Sequence, residues 1–433
     1  MEIKTYSYPD GQIQRVQIAR PDNWAQLEFL RPTPTPQALD KFADIYRRHL
    51  VPACPWLFGN MVLFRLPEDV EIPMGVYADR EIAAAALLRK GVTILGKTPA
   101  FHSAAAKELW QTLESRDCIR IVRGRLPVTQ IIPVGNLCGY LTEGEDAALT
   151  VNASFFIMDK FDCATVFDQI GTPLGLLVKD GVVENPPLFG REALLVKKDG
   201  TVSIEPAAVI ELEIRGKRYR IGENARLYSR PERRHTPISG GKKLVIIGTK
   251  VVAVRERGAV PIPASGFVLQ ADCPAQPGDS VTYPGFEDIA FGIQVGNSIL
   301  RGGEKTERFL SRFYNIYHLQ PVPFPPSLYP MDFQKSRAAR IALGADKDGK
   351  PVILWAEGAA KIGHIPGNDS RGATLADMAQ FCADAGMVNA VNLDGGGSAQ
   401  MLLRGKRSLR LSDRAEATGA EVERPVPLAL TVK

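Results

Sequence analysis

The chain has 433 residues, 53 Lys+Arg against 48 Asp+Glu, and 45% hydrophobic residues. That length supports two or three folding units and a core that needs no disulfide or metal staple. The balance of apolar and charged residues excludes a disordered or fibrous chain. The 39 glycines and 32 prolines favour turns and short strands over a helical bundle.

The net charge of +5 is spread along the sequence. Its densest basic stretch, 226–243, holds Arg230, Arg233, Arg234, Lys242 and Lys243. With no RNA-binding aromatic signature beside it, the stretch reads as a solvated loop, and no nucleic-acid polymer is expected as a partner. No run of 18 apolar residues occurs and the N-terminus lacks the apolar core of a signal peptide, so the expectation is a cytoplasmic protein with no membrane partner. Cys54, Cys118, Cys138, Cys163, Cys273 and Cys382 are scattered without a C-x-x-C pair, as are the five histidines. Neither a disulfide framework nor a zinc site is expected.

In chain order, apolar spacing predicts helices over 39–50, 80–90 and 103–115, with strands at Met61–Leu66 and Val92–Leu95 between them. Residues 1–118 thus read as a small α+β region. From about Ile119 strands and turns take over, with apolar candidates at Val128–Pro133 and Ala148–Val151. Hairpins are predicted where Asp180-Gly181, Asp199-Gly200, Gly216-Lys217 and Asp348-Gly349 separate apolar runs, and a similar pair spans Thr249-Lys250. Five prolines within 321–330 exclude a central strand and suggest a stiff connection or lid. A helix is predicted over Leu375–Ala385, capped by Thr374 with Asp377 three residues on and stopped by Gly386. The expected architecture is α+β: a mixed, mostly antiparallel β-sheet core flanked by helices, with the smaller region in front and a second domain over 119–433.

The segment Val388–Met401 is the informative one. An apolar strand runs into Asp394-Gly395-Gly396-Gly397-Ser398 and then into another strand. A plain hairpin turn needs two such residues, not five. Three glycines permit close backbone approach and a concave row of N–H groups suited to an anion. The spacing fits neither a phosphate-binding P-loop nor a dinucleotide fingerprint, because a strand follows where a helix should open.

This segment, with Thr374–Ala379 before it, resembles the C-terminal signature of the phosphodiester glycosidases. Three further stretches are similar in order: Val151-Asn152-Ala153-Ser154-Phe155-Phe156, Arg340-Ile341-Ala342-Leu343-Gly344 with Asp348-Gly349, and Glu423-Arg424-Pro425-Val426-Pro427. The likeness spans roughly 119–433, with Ala153-Ser154 in place of a glycine pair. It implies hydrolysis of a sugar-1-phosphate diester.

The chemistry can also be argued from the residues. Cleavage at the anomeric carbon expels a phosphate monoester, a weak base that needs little proton donation. A cation and N–H donors must hold its growing charge; Arg340 and the Gly395–Gly397 amides, with Ser398, fit. A carboxylate must stabilise the oxocarbenium-like centre or activate water, with Asp394 the first choice and Glu357 the second. Asn152 and Asn392 can hold sugar hydroxyls or the phosphate. Arg424 is either a phosphate ligand or the structural partner of a carboxylate. No cofactor is expected, and a divalent cation such as Ca²⁺ or Mg²⁺ stays open. The partner is a small-molecule or glycan phosphodiester. Two rival readings are a phosphodiesterase that cuts P–O in a nucleotide or glycan, and a sugar-phosphate or nucleotide-binding protein that does not turn over.

Overall fold

Turn chemistry sets the sheets. In the computed structural model Asp180 and Gly181 both take left-handed backbone, φ 51° and 87°, and join Leu177–Lys179 to Val182–Asn185 as an antiparallel pair. Two positive φ values in a row give the type I′ geometry whose twist matches the flanking strands. Asp199-Gly200 and Asp348-Gly349 close the pairs Glu192–Lys197 with Val202–Pro206 and Arg340–Asp346 with Pro351–Ala356. At the fourth hairpin the left-handed residues are Arg215 and Gly216. The turn therefore sits one residue earlier than expected, and the strands are Glu211–Ile214 and Lys217–Arg220.

The structure describes residues 2–34, most of 137–306 and of 336–432, and the backbone of short strands between 35 and 136. Those include Met61–Phe64, Val92–Leu95 and Ile131–Pro133. The expected helices at 39–50, 80–90 and 103–115 and the Pro-rich 321–330 lie outside the described residues.

Two sheets position the site, and their elements are named here in chain order. They are β1 Glu2–Ser7, β2 Ile13–Ala19, β3 Leu27–Leu30, β4 Leu149–Asn152, β5 Ser298–Arg301, β6 Glu304–Lys305, β7 Arg340–Asp346, β8 Pro351–Ala356, α1 Leu375–Asp384, β9 Met387–Asn392, β10 Met401–Leu403, β11 Lys406–Arg407 and β12 Ala429–Val432. One sheet has the order β1-β2-β8-β7-β9-β5-β6, the other β11-β10-β4-β12-β3, and every pairing in both is antiparallel. The fold is β-rich. Flanking helices are barely present, which corrects the α+β expectation: among the described residues the one α-helix is α1, ten residues long. Periodicity found α1 because a capping box formed by Thr374 and Asp377 starts it and Gly386, at φ 74°, follows its end.

The first thirty residues do not stand apart from the rest. β1 and β2 extend the seven-stranded sheet through the pairing of β2 with β8, and β3 closes the edge of the five-stranded sheet beside β12. A boundary at 118/119 therefore does not separate them from the domain behind it. Trp24, just before β3, is buried in the core, lies tilted against Phe291 at 5.4 Å between ring centres and donates its indole N–H to the Gly349 carbonyl.

Side chains alternate along β7 with the period of a strand. Ile341 and Leu343 join Trp355, Val391, Val151, Met401 and Leu430 in the core between the sheets. Ala342 joins Met378, Ala379 and Cys382 of α1 in the core on the other face. Fully burying one large apolar side chain contributes about 1.5–3 kcal/mol, so this double-faced packing fixes the register of β7 and β9. Gly344 is required by close approach, since a Cβ there would run into the Asn389 carbonyl across the ladder.

Candidate active site

The Asp394–Ser398 segment is the joint between the two sheets. β9 ends at Asn392, and the Leu393 amide still donates to Ile341 of the first sheet at 2.9 Å. One residue later the Asp394 amide donates to the Ala153 carbonyl, just beyond β4 of the second sheet, at 3.0 Å. A 3-10 turn over Gly396–Ser398 follows, and the chain enters β10.

Three glycines are needed there for three reasons. A Cβ at Gly395 would press on the Ala339 carbonyl oxygen at 2.7 Å. Gly396 has φ 60°, with open space where a Cβ would point. A Cβ at Gly397 would overlap the guanidinium of Arg424. Two of the amides expected to cradle an anion are already used inside the protein: Gly395 N–H donates to Asp394 Oδ1 at 2.8 Å and Gly396 N–H to Ala339 O at 2.8 Å. The expected three-amide cradle is thus corrected, because the tight joint turns these donors onto its own acceptors.

Asn152 ties the joint together. Its Nδ2 donates to the Asp394 carbonyl at 2.8 Å and its Oδ1 accepts from the Gln400 amide at 2.9 Å. Both contacts are to protein backbone, which makes Asn152 a brace of the loop. Asn392 is fully buried, beside Gly296, and neither of its amide atoms has a hydrogen-bond partner. It is shut away from the surface.

Arg340 begins β7 and is buried. Its Nε donates to Ala373 O at 3.2 Å and its Nη2 to Ser336 O at 3.0 Å. These carbonyl acceptors help hold the guanidinium in place. The Arg340 Cδ lies 3.6 Å from where a Gly395 Cβ would be, which puts the side chain against the loop. Arg424 is also buried and forms a two-bond fork with Asp413, Nε to Oδ2 at 3.0 Å and Nη2 to Oδ1 at 3.1 Å.

Asp394 is half-buried, and loss of solvent pushes its carboxyl up to about 6. Ser398, Arg424, the Gly395 amide and Arg340 act in the opposite direction and hold the rise there. The Ser398 hydroxyl makes no well-formed hydrogen bond, so its pull is one of proximity. Cys138 is a buried neighbour: burial, and then the charge of Asp394, push its thiol up. A carboxyl that titrates near neutrality beside two guanidinium groups is the arrangement expected of a reacting acid or base.

Glu357 is elsewhere engaged. Its carboxylate accepts from Arg15 Nη1 at 3.1 Å, from the Ser370 hydroxyl, and from the Arg410 amide at 2.7 Å. It staples β2, the 370 loop and the 410 loop together, and this geometry gives it a tethering place and no reacting one. Loop contacts thus gather Arg340, Asp394, Gly395, Gly397, Ser398, Arg424 and Asn152. Asp413 and Gln400, which share that cluster, carry no sequence motif and were not expected. Among the described residues no three His, Cys, Asp or Glu side chains form a group that could hold a metal ion.

Residues 320–433 match the family described as phosphodiester glycosidase. This segment is similar to the phosphodiester glycosidases over about a quarter of the chain. It carries Arg340, Glu357, Asp394–Ser398 and Arg424, while Asn152 lies before it. The chain is 36% identical over 84 residues to mouse N-acetylglucosamine-1-phosphodiester alpha-N-acetylglucosaminidase, covering 19% of this chain and 15% of the mouse protein. It is 38% identical over 79 residues to the human enzyme of that name, covering 18% and 14%. The aligned stretch is thus a small part of those relatives. Among solved structures, a putative exported protein from Burkholderia pseudomallei is similar over 100% of this chain and 96% of its own, at 17% identity and TM-score 0.44. The zebrafish glycosidase catalytic domain auto-inhibited by its pro-peptide gives 68% and 66% coverage, 17% identity and TM-score 0.34.

Proposed function

We propose that this protein hydrolyses the glycosidic C–O bond of a sugar-1-phosphate diester. The observation that carries this reading is Asp394. Its carboxyl is raised to about 6 at a sheet joint, between Arg340 and Arg424, in the segment that matches the phosphodiester glycosidases.

Above its pKa Asp394 is an anion. It can take a proton from an attacking water or stabilise positive charge at the anomeric carbon. The electron pair of the breaking C–O bond goes to the phosphate, which leaves as a monoester. Arg340 supplies a fixed positive charge where that negative charge gathers, and a buried guanidinium acts there at low local dielectric. No proton need be donated to the leaving group, so a single carboxyl such as Asp394 is enough for the reaction. Asn152 and the glycines keep the acid in place.

The test is multiple turnover on a panel of sugar-1-phosphate diesters, with Asp394→Asn beside the wild type. Several hundred-fold slower turnover in the variant, with ligand binding retained, supports the reading. A variant as fast as the wild type removes Asp394 from the reaction. Binding by the wild type without turnover would make the protein a sensor.

A further inference from the structure

Arg424 and Asp413 form a buried fork whose flat face lies directly under Gly397. A Cβ on that glycine would meet the Asp413 Oδ1 at 2.5 Å as well as the guanidinium. The fork is wired to the acid by backbone. The Arg424 carbonyl accepts from Gln400 Nε2 at 2.7 Å, the Gln400 amide donates to Asn152 Oδ1, and Asn152 Nδ2 donates to the Asp394 carbonyl. Asp413 is itself fixed, since its carbonyl accepts from the Val422 amide at 3.0 Å.

We propose that Arg424 and Asp413 act together as a positioning pair, holding the Asp394–Ser398 joint in shape and setting the charge felt by its acid. The inference rests on the reading of Asp394 as the reacting acid. A bidentate arginine–carboxylate pair is rigid and directional, so it can define a surface for the loop to lie on. Its two charges do not act equally at Asp394. Arg424 opposes the burial of that carboxyl more strongly than Arg340 does, while Asp413 pairs with the Arg424 guanidinium and tempers it. The groups that face Asp394 are Arg424 from the C-terminal segment, Arg340 from β7, Ser398 and the Gly395 amide from the loop, and Cys138. Neither member of the pair need touch substrate.

Charge removal therefore has a sign that packing damage lacks. Arg424→Gln deletes the cation and should move the acid limb of the kcat/KM profile up by roughly one pH unit. Asp413→Asn frees the cation and should move the same limb down. Arg424→Lys keeps the charge but loses the fork, so kcat should fall with the limb close to its wild-type position. The probe is a sugar-1-phosphate diester with a chromogenic aglycone. Opposite movements in the first two variants support the proposal. Losses of rate or stability with both limbs unmoved overturn it and leave the pair as scaffold. If the wild type cleaves no such diester, the proposed chemistry fails by itself. The signs are then read by ¹³C NMR titration of the Asp394 carboxyl, assigned by its absence in Asp394→Asn.

Discussion

Replacing Asp394 with Asn should make the protein more stable at neutral pH while disabling it. A carboxyl raised from 3.8 to about 6 binds more protons folded than unfolded between those two values. The stability this group allows is complete below pH 3.8 and is lost as pH rises through about 6. The shift of about 2.2 units (6 minus 3.8), at 1.36 kcal/mol each, sets an upper figure of about 3 kcal/mol for the strain of keeping Asp394 ionised. Partial exposure of the residue reduces it, so a gain of roughly 1–3 kcal/mol is expected for Asp394→Asn at pH 7.5. Asparagine keeps the shape and removes the buried charge. The assay is urea unfolding of both proteins at several pH values. Their difference should be small near pH 4 and should grow to its full size above pH 7. An Asn variant no more stable than the wild type at pH 7.5, or one whose advantage grows toward acid, would refute the claim that Asp394 is an ionised, desolvated group.

Wild-type kcat/KM on a phosphodiester should rise through pH 6 as Asp394 ionises, which a pH–rate profile reads directly. Gly397→Ala should cost several kcal/mol and most of the activity because its Cβ meets the Arg424–Asp413 fork; Gly396→Ala, whose Cβ points into open space, should cost about 1 kcal/mol, as measured by thermal melts. Arg340→Lys should slow phosphodiester cleavage at least tenfold yet leave neutral aryl glycosides unaffected; equal losses on both substrates would make Arg340 a scaffold residue. Glu357→Gln should lower stability by about 3 kcal/mol through the loss of a buried charge partner for Arg15, with the pH–rate limb in place.

Local signals carried much of this reading. Asp-Gly pairs announce the hairpins because a left-handed turn restricts which residues can stand there, and α1 declares itself by cap, stripe and glycine stop. The Asp394–Ser398 block stands out because no ordinary turn needs that composition. What stays hidden is non-local. Nothing in Glu2–Leu30 says that β2 and β3 pair with segments more than a hundred residues away, and a strand carries no label for its neighbour. Asp413 is invisible for the same reason: its role exists only where Arg424 reaches it. The glycines mislead in one respect. A row of amides suggests an anion cradle, but Ala339 and Asp394 take two of them. Glu357, plausible beside a glycine, ties β2 to two loops.

The claim that matters most is that the sugar–oxygen bond breaks while phosphate leaves. Hydrolysis of a sugar-1-phosphate diester in ¹⁸O-labelled water, followed by mass spectrometry of both products, tests it directly. The account predicts label at the anomeric hydroxyl of the sugar and none in the phosphate monoester. Label in the phosphate would show P–O cleavage and contradict the roles given to Asp394 and Arg340.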